Sequence, residues 1–155
     1  MRAPTNLLFR ILGGIHRSVY KLSRGKVGGR IANMPVLLLT TTGRKSGRPR
    51  TQPLTYTDTG DGYAVIASKG GAAQPPFWYL NLRANPLAYV TVGRETRKVH
   101  ARDAEGDERE RLWRALTDVY PGYDRYARKT SRKIPVVVLE RVSVGLSAKS
   151  PPPPH

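Results

Sequence analysis

Val36-Leu-Leu-Leu-Thr-Thr-Thr-Gly-Arg-Lys-Ser-Gly-Arg-Pro-Arg50 is the stretch from which the fold can be read. An apolar run, Val36 to Leu39, leads into a threonine-rich segment, and Thr51 to Thr57 then alternates as strands do. Between them, Gly43 and Gly47 allow a tight turn that carries Arg44, Lys45, Arg48 and Arg50. Two strands joined by a glycine-punctuated basic turn are therefore expected. Its exposed amides can form an anion nest, and Gly43, Arg44, Lys45, Ser46 and Arg50 are candidate contacts for a phosphate or a polycarboxylate. The other reading is a solvated basic hairpin. The turn is not a phosphate-binding P-loop, because Gly-x4-Gly-Lys-Ser spacing is absent and the turn leads to a strand.

Outward from this hairpin the chain continues in short strands. Asp58-Thr-Gly-Asp-Gly62 predicts a turn and Tyr63 to Ala67 a return strand. Pro75-Pro76 starts a helix over Phe77–Ala84, which Asn85-Pro86 stops. A second hairpin runs from Leu87–Val92 to Arg97–Ala101 around Gly93. Asp107–Val119 predicts an amphipathic helix with Leu112, Trp113 and Leu116 inward, and Tyr120 to Lys129 a second short helix. Ile134–Leu139 is a last β-branched strand. Six short antiparallel strands with added helices point to a mainly β protein, a small barrel.

Composition narrows the function classes. A chain of 155 residues with 39% apolar content is expected to form one domain around one core. The formal charge of +16 demands an anionic partner. It is unevenly placed: no Asp or Glu precedes Asp58, whereas eleven Lys or Arg do. With no cysteine, disulfides and thiolate metal sites are excluded, and His16, His100 and His155 lie far apart, so no metal is expected. No run of about 18 apolar residues exists to span a membrane, and no signal peptide is recognisable. A cytoplasmic protein is the default expectation.

Residues 1–30 read as a basic amphipathic helix and linker, 31–145 as the barrel, and 146–155 as a disordered proline-rich tail. Within residues 5–23, Leu8, Ile11, Leu12, Ile15, Val19 and Leu22 share one face, with Arg10, Arg17 and Lys21 opposite. This segment either packs on the barrel or lies peripherally on an anionic membrane.

Three further groups are candidates for chemistry. Ala67-Ser68-Lys69-Gly70-Gly71 is a second glycine-and-cation turn at a strand end, able to share the same anion. On the Phe77 helix, Phe77 and Tyr79 are assigned to the core. Trp78 and Asn81 are left between core and a planar-ligand pocket, with Asn81 free to bond a ring heteroatom. Tyr120, Tyr123 and Tyr126 either pack or present phenols that donate to a carbonyl or nitro oxygen. No Ser-His-Asp set or carboxylate pair stands out, so hard chemistry would need a cofactor.

Leu-Leu-Leu-Thr-Thr-Thr-Gly-Arg-Lys-Ser-Gly, Ala-Ser-Lys-Gly-Gly and Trp-Tyr-Leu-Asn-Leu-x-Ala-Asn-Pro, in this order, resemble the deazaflavin-dependent nitroreductase family. The resemblance spans about residues 5 to 142. It implies a split β-barrel, as in FMN-binding proteins, using coenzyme F420, a low-potential 8-hydroxy-5-deazaflavin. Hydride transfer from C5 of the reduced deazaflavin to a quinone or nitroimidazole acceptor is the implied reaction. It further implies that Arg44, Lys45, Arg50 and Lys69 grip the phosphate and carboxylate tail. Pro53, Ala67 and Ser68 would line the ring, with Trp78 and Asn81 nearby. Tyr120, Tyr123 and Tyr126 match substrate-side tyrosines, and Ser68 is a candidate to assist them. The basic N-terminal helix matches one linked to the membrane in a family member. Thr55 and Tyr56 depart from the family's usual aromatic pair.

FMN is the alternative cofactor, because both molecules carry a phosphate. A nucleic-acid-binding barrel also fits the charge. Against it, the aromatics sit on helices and not on a strand face where bases would stack, so no nucleic acid is expected. Small barrels of this class often dimerise, which leaves a homodimer open.

Overall fold

A computed structural model describes residues 30–31 and 34–142. The proposed helix 5–23, residues 24–29 of the linker after it and the tail 146–155 lie outside the described residues, whereas Arg30, expected to end that linker, belongs to a strand.

The described strands are β1 (Arg30–Ile31), β2 (Met34–Thr42), β3 (Pro49–Thr55), β4 (Thr57–Asp58), β5 (Gly62–Ile66), β6 (Leu87–Val92), β7 (Glu95–Asp103) and β8 (Val136–Arg141). The helices are α1 (Phe77–Ala84), α2 (Gly106–Val119) and α3 (Gly122–Lys129). All strand pairs are antiparallel, in the order β1-β2-β6-β7-β8-β5-β4, with β3 on β2.

The expected six strands become eight for two local reasons. β1 is a two-residue addition. The single strand expected over Thr51–Thr57 breaks at Tyr56, whose amide donates to the Pro35 carbonyl at 3.3 Å. Before the break the chain pairs with β2, from Thr42↔Pro49 to Val36↔Thr55. After it, β4 pairs with β5. The two ends of the curled sheet thus meet through the chain itself, while β3 finds its ladder partner in β2 alone among the described residues. That unpaired edge is the split in the barrel. Pro49 and Pro53 suit it, since proline cannot donate to a second ladder.

Two hydrophobic clusters stand where one core was expected. Leu37, Leu39, Val65, Val90, Val99, Val137 and Leu139 fill the barrel interior, closed at one side by Trp78, Tyr79 and Leu82 of α1. On the outer face of β5 and β8, Ala64, Ile66, Val136 and Val138 pack against Leu112 and Leu116 of α2 and Tyr123 of α3. Strands β5 and β8 are therefore buried on both faces, which explains their unbroken apolar sequences. Trp113, expected inward, packs against the edge of this second cluster. It is half-buried and donates Nε1–H to Asp124 Oδ1 at 2.8 Å, tying α2 to α3.

Candidate active site

The basic turn closes on its own backbone. The Gly43 amide donates to the Arg48 carbonyl and the Gly47 amide to the Gly43 carbonyl, both at 2.8 Å. Gly47 is left-handed, with φ +69°. At Gly43 a Cβ would stand 2.7 Å from Ser46 Oγ and 3.1 Å from the Arg48 carbonyl oxygen, so only glycine fits without displacement.

This turn is one wall of an open groove of about 710 Å³. Gly43, Arg44, Lys45 and Ser46 form that wall. Pro49, Arg50, Thr51 and Gln52 of β3 form the base, and Phe77, Trp78 and Asn81 of α1 the facing wall. Asn81 joins the two walls. Its Oδ1 accepts the Arg44 amide at 3.1 Å, and its Nδ2 donates to Thr41 Oγ1 at 3.1 Å. Asn81, left open in sequence, both lines the groove and braces it. Both ends of the buried amide are engaged, and it holds the turn against α1.

Phe77, expected in the core, is 69% exposed. Its ring centroid is 5.9 Å from Arg44 Cζ and 5.3 Å from Lys69 Nζ. Helix α1 starts at this residue, with Pro76 as its N-cap. One aromatic thus brings the two basic turns together. Trp78, left open in sequence, is only 5% exposed; it packs in the barrel core and also lines the groove.

The second turn has an uncommon backbone. Ser68 is right-handed (φ −81°, ψ −39°) and Lys69 left-handed (φ 45°), the succession that points consecutive amides to one side. Ala67 is fully buried and Ser68 nearly so; neither these two nor Pro53 of β3 lines the groove.

The tyrosines form their own cluster. Tyr120 and Tyr126 share a hydroxyl hydrogen bond of 2.7 Å. Their rings and that of Tyr123 lie with centroids 5.1 to 6.3 Å apart. Burial pushes the Tyr123 phenol pKa up, partly offset by the Thr55 side chain. The Tyr126 pKa is raised first by its hydrogen bond with Tyr120. Both phenols hold their protons at neutral pH. The cluster adjoins the second turn: a Cβ on Gly71 would stand 2.7 Å from the Tyr126 carbonyl oxygen.

Electrostatics sets the groove apart. Every Asp and Glu of the chain lies between Asp58 and Glu140. The ion pairs among the described residues join Arg97 to Glu95, Arg102 to Glu108 and Glu140, and Arg141 to Asp58. None involves Arg44, Lys45, Arg48, Arg50 or Lys69. No cluster of metal-ligating side chains occurs among the described residues.

Sequence reading missed Pro49, Thr51, Gln52 and Phe77 as groove residues. The three on β3 carried one usable signal, their position directly after the basic turn.

The profile of the F420H(2)-dependent quinone reductase family matches residues 13–141. A relative named F420H(2)-dependent quinone reductase, from Mycobacterium tuberculosis, is 42% identical over 131 residues, 82% of this chain and 88% of the relative. A solved F420-H2 dependent reductase (FDR-A) is 44% identical, with a TM-score of 0.64 over 68% of this chain and 94% of that one. A second solved structure, described as a domain-swapped dimer, is 37% identical with a TM-score of 0.65, covering 89% of this chain and all of that one. With the split barrel, the unneutralised groove and this match over most of its length, the chain belongs to the F420H(2)-dependent quinone reductase family, and is an oxidoreductase whose cofactor is coenzyme F420.

Proposed function

We propose that the groove between the basic turn and α1 holds the anionic tail of F420, and that the ring end lies toward Ser68 and the tyrosine cluster. The observation that carries this is a set of cations without carboxylate ion pairs among the described residues: Arg44, Lys45 and Arg50 line one open groove, and Lys69 stands against the Phe77 ring of its wall. A phosphate and glutamate carboxylates suit such a set, each charge-assisted bond contributing about 1.5–3 kcal/mol. Trp78, Pro53, Ala67 and Ser68 are assigned to the ring end, and Gly43 and Ser46 to the tail.

When bound, reduced F420 supplies the hydride for an electron-poor acceptor. The protein aligns the acceptor and limits water around it. Tyr123 and Tyr126, protonated at neutral pH, are assigned to donate to the acceptor oxygen as negative charge develops there. Tyr120 holds Tyr126 through their shared hydrogen bond. Quinones of the menaquinone type and nitroaromatics such as nitroimidazoles both present an oxygen of this kind. Replacing Tyr123 and Tyr126 singly by Phe is expected to lower kcat/KM for a quinone by roughly tenfold or more. Unchanged kcat/KM in both variants would remove the tyrosines from the mechanism.

The test of the cofactor reading is a fluorescence titration with oxidised F420, with FMN alongside. Saturable F420 binding with little response to FMN is expected. Binding of FMN alone would transfer the groove to a flavin. The basic amphipathic segment 5–23 supports peripheral attachment to an anionic membrane as part of the same reading. Deleting residues 1–29 is then expected to abolish liposome binding and leave F420 affinity intact.

A further inference from the structure

Arg132 sits in the connection between α3 and β8 and takes no part in the groove or the tyrosine cluster. Its Nε donates to the Ala72 carbonyl at 2.8 Å. Its Nη2 donates to the Ser68 carbonyl at 2.8 Å and to the Ala67 carbonyl at 3.2 Å. No ion pair engages it among the described residues. The base of the residue is pinned as well, its amide donating to Thr130 Oγ1 at 3.2 Å.

The loop it grips is strained. Lys69, Gly70 and Gly71 are left-handed in succession, with φ of 45°, 63° and 82°. For glycine this costs little. For lysine it is a strained conformation that persists only where the surroundings over-determine it. Two turn bonds close the loop, Gly71 N–H to the Ser68 carbonyl at 2.9 Å and Ala72 N–H to the Lys69 carbonyl at 3.1 Å. The Arg132 guanidinium grips the carbonyls on both sides of the left-handed stretch. The same loop packs under α3, where Gly71 meets the Tyr126 backbone. Arg132 therefore fastens the cofactor-side turn to the chain segment that also carries the tyrosines.

We propose that Arg132 is a positioning residue that keeps Lys69 in its left-handed conformation and sets the Ser68–Lys69 turn against α3. The inference rests on the reading that this turn serves F420. It predicts that lysine cannot substitute, because a single ammonium on a flexible stem does not reproduce the planar fork that spans three carbonyls.

The test compares wild type with Arg132→Lys and Arg132→Ala by three readouts. Hydrogen exchange of the cofactor-free protein reports on the Gly71 and Ala72 amides. Fluorescence titration gives the Kd for oxidised F420, and steady-state kinetics gives kcat and KM with a water-soluble naphthoquinone. In Arg132→Lys, with a thermal midpoint near that of wild type, faster exchange confined to the loop is expected. F420 affinity is expected to weaken about tenfold, as for the loss of one charge-assisted hydrogen bond. The kcat is expected to fall more than the quinone KM changes. Millimolar guanidinium is expected to restore part of the F420 affinity of Arg132→Ala.

Wild-type exchange and affinity in Arg132→Lys would overturn the proposal. A loosened loop with unchanged F420 affinity would overturn it too, and so would losses that follow only the fraction of folded protein. Failure of wild type itself to bind F420 is a different result: it would sink the cofactor reading of the groove, while the exchange data still judge whether Arg132 holds the loop.

Discussion

At the scale of single residues, Asn81 shows how a side chain that lines a groove can also brace it. It is 5% exposed and spends its amide on Arg44 and Thr41, so the basic turn depends on it. Asn81→Ala leaves a buried hydroxyl and an amide without a partner, which is expected to cost about 1–3 kcal/mol. Urea denaturation checks this, and a weaker F420 Kd should accompany it as Arg44 loses its anchor. Gly71 makes the converse point. With φ +82° and a Cβ that would stand 2.7 Å from the Tyr126 carbonyl oxygen, Gly71→Ala combines backbone strain with a clash. A loss of at least about 1 kcal/mol is expected in the same measurement. Asn81 could be named from sequence as a candidate, but its role could not. Its partners are 37 and 40 residues away, and pairing at that distance leaves no periodic trace.

At the scale of elements, helix α1 and strand β6 begin and end where local chemistry says, at Pro76, at Asn85-Pro86 and at Gly93. Elements whose ends depend on distant neighbours moved: β3 and β4 separate at Tyr56 because the chain changes ladder partner there. Outer-face elements are joined by Arg102 of β7, which bonds Glu108 of α2 at 2.6 Å and Glu140 of β8 at 2.7 Å. The Arg102 guanidinium holds the Glu108 carboxyl below its ordinary pKa. A depressed folded pKa adds stability above the unfolded value, about 4.3, and this is lost as pH falls through the lower folded value. Both groups are partly exposed, so the effect is modest. Wild type should be more stable than Glu108→Gln at pH 7, with the gap closing below about pH 4. Thermal midpoints across that range decide it, and a gap independent of pH would contradict the assignment.

At the scale of the whole molecule, charge and fold act together. Carboxylates begin at Asp58, after the basic hairpin, and those that form ion pairs do so away from the groove. The groove cations thus set up a local positive field that no ion pair among the described residues quenches. F420 affinity is therefore expected to fall as ionic strength rises. Lys45→Ala and Lys69→Ala should each weaken binding, and the double variant should flatten the salt dependence. Titrations at two or three salt concentrations measure both. A slope unchanged in the double variant would remove these lysines from the tail site.

The sequence alone was enough for the basic hairpin, the short helix after Pro75-Pro76, the second glycine-and-cation turn and the family, because each is written in neighbouring residues by turn chemistry, proline and periodicity. Tertiary structure decided that the strand breaks at Tyr56, that Phe77 stands exposed beside two cations, that Asn81 joins the turn to Thr41 and that Arg132 reaches back across 60 residues to Ala72. Those outcomes depend on which surfaces meet when the sheet curls, and close packing and hydrogen-bond geometry act through space, where separation along the chain carries no information.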